Sequence, residues 1–148
     1  MGLLDRIREG SYVPDDDGLA PRQRVDRSSS LAETARRIAA DGNVMIPVRD
    51  FLDQVSRLAD ADLERLIEEE PPPTGAPEAD ALLAGIAEHL AATRSLRCPR
   101  WVLDESRFLE RFWFVSNVQG FRAIAIAQTP IALKRRGVFW PERSMARV

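Results

Sequence analysis

The sequence predicts an all-α fold of about six helices behind a polar N-terminal arm. Three observations predict it. Apolar residues recur at helical spacing in several separate stretches. Helix start and stop signals, a Ser-x-x-Glu box and first-turn prolines on one side and glycines on the other, bracket those stretches. Only one short piece, Val138-Phe139-Trp140, reads as extended, a strand fragment at most.

Residues 1–29 form the arm. Residues 2–9 can make two helical turns, but Asp15-Asp16-Asp17-Gly18 and Pro21-Arg22-Gln23-Arg24 follow with few apolar side chains. Such a stretch cannot bury enough surface to offset its ordering entropy, so it is expected to be mobile or to order only against a partner. Residues 30–148 make the helical domain. Ser30-Leu31-Ala32-Glu33 is a capping box that starts a helix ending at Gly42, with Leu31, Ala35 and Ile38 on one face. Pro47 suits the first turn of a second helix carrying Val48, Phe51, Leu52 and Val55. A short third helix holds Leu63, Leu66 and Ile67, and Pro71-Pro72-Pro73-Thr74-Gly75 breaks the pattern. Pro77 opens the longest helix, whose stripe is Ala79, Leu82, Leu83, Ile86 and Leu90 and which fades near Ser95. One or two turns are expected over residues 106–111, a further helix over 119–128, and a last one after Thr129-Pro130 that stops at Gly137.

The composition suits one ordinary domain of 148 residues with a real core: 45% of residues are hydrophobic. No apolar run approaches the roughly 18–20 residues that cross a membrane. The opening Met1-Gly2-Leu3-Leu4-Asp5-Arg6 lacks the shape of a signal peptide, and Arg6 stands where a myristoylation motif requires Ser or Thr. A single cysteine, Cys98, excludes an internal disulfide and is expected as a small half-buried filler. These features fit a cytoplasmic protein. The net charge of −2 conceals an asymmetry: residues 1–93 carry −9 and residues 94–148 carry +7. The simplest consequence is that the two halves attract each other within the fold. The sharper one is that the basic half faces an acidic partner or nucleic acid.

Catalytic signals are thin. His89 is the only histidine, which with one cysteine falls short of a zinc ligand set, and no nucleophile motif accompanies it. No phosphate-binding glycine loop is present. Glu68-Glu69-Glu70 reads as a charged helix end, because consecutive helix positions point in different directions. No enzyme activity, cofactor or metal is expected. An enzyme built from carboxylates and arginines alone would need a deep pocket where carboxylates converge.

The C-terminal third stands out. Eight of the ten aromatic residues lie at or after position 101, interleaved with arginines. Trp101, Phe108 and Phe121 are expected in the core. Phe112, Trp113 and Phe114 cannot all point inward on a helix or a strand, so at least one faces solvent or a partner. Trp113 is the expected one if the stretch is extended, since Phe112 and Phe114 then share a face. Trp140 is a second candidate. Lys134, Arg135 and Arg136 could touch phosphates, although cations in the last turn of a helix are favoured by its dipole in any case. In the arm, Asp15, Asp16 and Asp17 could mimic phosphates in a cationic nucleotide pocket. Nucleic-acid binding is expected to be weak and salt-sensitive, because the basic surplus is diffuse.

The order of several short motifs carries a resemblance. They are Val48-Arg49-Asp50-Phe51-Leu52-Asp53, Glu70-Pro71-Pro72, Asp80-Ala81-Leu82-Leu83-Ala84 with Ala87-Glu88-His89-Leu90-Ala91, and Pro99-Arg100-Trp101. Arg107-Phe108-Leu109 with Phe112-Trp113-Phe114 follows, and then the run from Thr129-Pro130 through Lys134-Arg135-Arg136-Gly137-Val138-Phe139. In this order residues 47–148 resemble the C-terminal domain of actinobacterial antitoxin-like small proteins paired with nucleotidyltransferase-like toxins. The resemblance implies binding and neutralisation of a cognate toxin. Proteins of that kind often carry an N-terminal helix-turn-helix. Residues 1–46 are too short, and at first too polar, for a complete one.

Overall fold

The computed structural model describes residues 28–116 and 118–145, and the arm, Asp15-Asp16-Asp17 included, lies outside them apart from Ser28 and Ser29. Among the described residues the fold is all-α, with seven α-helices, three 3₁₀ turns and two strands of two residues each. Helix α1 spans Leu31–Asp41, α2 Met45–Val55, α3 Asp60–Glu68, α4 Pro77–Thr93, α5 Arg122–Gln128, α6 Ile131–Lys134 and α7 Glu142–Met145.

The local signals act as their chemistry dictates. Ser30 Oγ accepts from the Glu33 amide at 3.1 Å, satisfying one of the orphan donors at the start of α1. Gly42, with φ of 73°, ends that helix by donating to the Ile38 carbonyl. In α2 the Asn43 side chain accepts from the Ile46 amide, and Pro47 occupies the first turn, where its missing N–H costs nothing. Pro77 stands at the first turn of α4 in the same way.

The central helix is α4. Its expected stripe of Ala79, Leu82, Leu83, Ile86 and Leu90 is buried, and so are Ala81, Ala84, Gly85, Ala87 and Ala91. A helix buried nearly all round must have neighbours on most sides. Its neighbours are α1, α6, the 3₁₀ turns Arg100–Leu103 and Glu105–Arg107, and the second strand, Val138–Phe139. The small residues permit this. A Cβ on Gly85 would stand 2.9 Å from Leu133 Cγ on α6. The core continues through Leu31, Phe51, Leu63, Ile67, Trp101, Val102, Leu133 and Trp140.

Two expectations are corrected. The turns expected over 106–111 shrink to a 3₁₀ turn at Glu105–Arg107, because Phe108 is already extended and the Leu109 amide donates to the distant Arg136 carbonyl at 2.9 Å. The chain then runs into strand β1, Trp113–Phe114, which pairs in parallel with β2, Val138–Phe139, in the register Trp113 to Val138 and Phe114 to Phe139. Cys98 is exposed in the loop after α4, not half-buried. Among the described residues no helix is long and apolar enough to cross a membrane.

Candidate docking surface

Opposite charges of the two halves meet inside the fold. Glu88 on α4 accepts from Arg135 and Arg136 together. Arg136 is 0% exposed; it also donates to the Ala132 and Val102 carbonyls and lies 4.7 Å over the Phe108 ring. Burial raises the Glu88 pKa, but the two guanidiniums outweigh it and hold the carboxyl below its ordinary range. Arg107, buried as well, donates to the Pro71 carbonyl at 2.8 Å, stands 3.6 Å from Glu70 and covers the Trp101 ring at 4.9 Å. Trp101 Nε1 donates to the Ile67 carbonyl. Each of the two arginines leaves its Nε without a partner. Arg94 binds Asp60 and the Val55 and Leu58 carbonyls. Residues of the quoted motifs therefore meet: Glu88 ties α4 to Arg135 and Arg136, and Arg107, stacked on Trp101, ties the chain after α4 to Glu70-Pro71 before it.

These contacts decide which candidate side chains are available outside. Arg136 is enclosed and Arg135, though exposed, is paired with Glu88, so two of the three cations in Lys134-Arg135-Arg136 hold the fold, and Lys134 is half-buried. Trp140, 3% exposed, belongs to the core, which corrects its place as an outward-facing ring. The aromatic triplet is extended, and Phe112 and Phe114 do share a partner. Phe112 meets Phe139 edge-on at 5.1 Å and Phe114 stacks on it at 4.9 Å. The outward ring, however, is not Trp113. Trp113 is half-buried against the core, whereas Phe112 is 74% exposed. Alternation is obeyed, but the inward side of β1 is the one opposite to that expected, because the carbonyls of Gly137 and Phe139 fix its register through the amides of Trp113 and Val115.

Residues 112–131 hold several large apolar side chains that nothing among the described residues buries. Phe112, Val118, Phe121, Ile126 and Ile131 are all exposed, and Ile131 reaches 73%. Phe121 is thereby corrected from a core residue. Most of the α5 sequence, Arg122-Ala123-Ile124-Ala125-Ile126-Ala127-Gln128, is apolar, yet only Ala125 is buried. The helix is held at its ends: Thr129 Oγ donates to the Ala125 carbonyl, and Arg122 lies 5.0 Å over the Phe114 ring. Exposed cations, Arg111, Arg122 and Arg135, accompany the apolar residues. Large exposed apolar groups bounded by charge mark association surfaces more often than isolated ones do.

A second feature was invisible in the sequence. A cleft of about 590 Å³ lies between α2, α4 and α7, with Leu52, Val55, Leu90 and Met145 as its apolar lining and Asp53, Arg57, His89 and Glu142 among its polar groups. His89 Nε2 is 3.5 Å from Glu142, and burial, opposed by Glu142, keeps the imidazole below its ordinary pKa. Comparisons of the chain with known protein families, characterised proteins and solved structures return no match.

Proposed function

We propose that this protein acts by binding another protein, as an antitoxin that docks on a cognate, nucleotidyltransferase-like toxin and covers its active site. The single observation that carries the binding role is the uncovered apolar stretch of residues 112–131, five large side chains exposed beside arginines. Burying an exposed Phe at an interface contributes about 1.5–3 kcal/mol, and such aromatic anchors beside Arg are the usual hot spots. The choice of a toxin as partner rests on the motif order alone. The partner surface that fits is apolar at its centre and acidic at its rim, to match Arg111 and Arg122.

Co-expression with the product of the adjacent gene tests the proposal. The wild-type chain is expected to co-purify with that product and to restore growth that the product alone arrests. Phe112→Asp with Phe121→Asp removes two exposed anchors. It is expected to weaken the complex by roughly 30-fold or more, the equivalent of about 2 kcal/mol, while the helical circular-dichroism signal is unchanged. Absence of a complex with the wild-type chain contradicts the proposed partner. A complex indifferent to both substitutions contradicts the proposed face.

A further inference from the structure

The cleft between α2, α4 and α7 shares no residue with the apolar stretch, so what it binds is independent of the proposed docking. At about 590 Å³ it has the size of a small-molecule site, and its lining combines an apolar floor with a few polar groups, as such sites do. Leu52, Val55, Leu90 and Met145 form the floor. Met145 brings a thioether, which packs well against an aromatic ring.

The polar lining decides the head group. Arg94 is used up by the fold, since it donates to Asp60 and to the Val55 and Leu58 carbonyls. The remaining charged residues are Asp53, Glu142 and Arg57, two carboxylates against one guanidinium, which sums to −1. Glu142 Oε1 stands 3.5 Å from His89 Nε2. That is longer than the roughly 2.7–3.2 Å of a good N–H···O bond, so neither group satisfies the other. Burial keeps the imidazole below its ordinary pKa, so at neutral pH it is uncharged and carries one acceptor nitrogen. A carboxylate and an uncharged imidazole side by side, next to an apolar floor, call for a positively charged group with several N–H donors.

We infer that the cleft binds a small organic amine, its aromatic body against Leu52, Leu90 and Met145 and its ammonium between His89 and Glu142. A primary ammonium has three N–H donors, enough to reach both groups at once. The body supplies apolar area to the floor, which favours binding whatever the head. The head supplies the discrimination. An alcohol on the same body keeps a donor but loses the charge. A carboxylate on the same body meets Glu142 with like charge and brings no donor, so it is rejected. The seated amine touches α2, α4 and α7 together and so bridges three elements that are far apart in the chain.

Titration of the isotope-enriched full chain, followed through its amide signals, tests this with three probes of one body: phenethylamine, phenethyl alcohol and hydrocinnamate. Phenethylamine is expected to shift residues 52–57, 89–94 and 142–145 and to saturate with a Kd on the order of 1 mM or below. It is expected to bind at least about tenfold more tightly than hydrocinnamate, with the alcohol between them. Glu142→Gln alters a mostly exposed side chain and is expected to cut that advantage to about threefold or less, with the remaining signals unmoved. An amine that does not saturate, or that binds no more tightly than hydrocinnamate, overturns the inference. So does a tenfold advantage that survives Glu142→Gln. Shifts confined to residues 112–131 overturn it as well, because the probe would then sit on the other apolar surface. The comparison of heads needs only the wild-type chain, so it decides the matter even if the variant fails to fold.

Discussion

Glu88 is the residue on which the internal electrostatics turn. Its carboxylate answers two guanidiniums, one of them fully enclosed. Glu88→Gln leaves Arg136 buried without a counter-charge, and breaking such a pair costs roughly 3 kcal/mol or more. Chemical denaturation is expected to show that loss with no change in the dependence on denaturant. Because the folded-state pKa of Glu88 is lowered, its contribution is complete above the ordinary carboxylate range and disappears as pH falls through the lowered value. His89 acts in the same direction at higher pH. Its folded-state pKa is also lowered, and for a base this means that the unfolded chain binds the proton more readily. Stability therefore declines as pH drops below the ordinary imidazole value of about 6.5. A melting temperature that falls between pH 7.5 and about 5.5 in the wild type, but not in His89→Gln, identifies this step. The aromatic triplet gives a contrast at the same scale. Trp113→Ala removes a ring packed on the core and is expected to cost about 2 kcal/mol, whereas Phe112→Ala stays within about 0.5–1 kcal/mol. A larger loss for Phe112→Ala than for Trp113→Ala would mean that the strand faces the other way. That one of the three rings points outward is legible in the sequence. Which one is not, because the register of β1 is fixed by carbonyls about 25 residues downstream.

At the level of elements, legibility follows the locality of the cause. The α1 capping box, the first-turn prolines of α2 and α4 and the glycine stops are short-range chemistry, and they fall where the sequence puts them. The strand fragment at Val138–Phe139 is also where it is expected. The turn over 106–111 is not, since the Leu109 amide bonds across the fold to Arg136, a partner that no local window contains. Exposure of α5 is equally hidden: its sequence is apolar enough for a core helix, and only the packing around it leaves Ile126 exposed among the described residues. The cleft depends on three elements far apart in the chain and leaves no local trace. Packing of α4 on α6 supplies a prediction. Gly85→Ala gains about 1 kcal/mol of helix propensity but drives a Cβ into Leu133, an overpacking cost of about 1–3 kcal/mol. The net result expected is a lower melting temperature. A rise would mean that α6 moves aside at little cost.

For the whole molecule, the charge asymmetry finds its first use within the fold. Ion pairs join Arg94 to Asp60, Arg107 to Glu70, and Arg135 and Arg136 to Glu88, each linking the basic half to the acidic one. This leaves fewer cations for phosphate than the sequence count suggests. Residual nucleic-acid binding is accordingly expected to be weak at low salt and to vanish at physiological salt. What the fold does not absorb is the apolar stretch of residues 112–131. The most direct test of its role is the affinity of purified wild-type protein, and of the Phe112→Asp, Phe121→Asp variant, for the adjacent gene's product by isothermal titration calorimetry. A defined stoichiometry is expected for the wild type, and a loss of roughly 30-fold or more for a variant that melts like it. Equal affinity of the two proteins would contradict docking through these side chains.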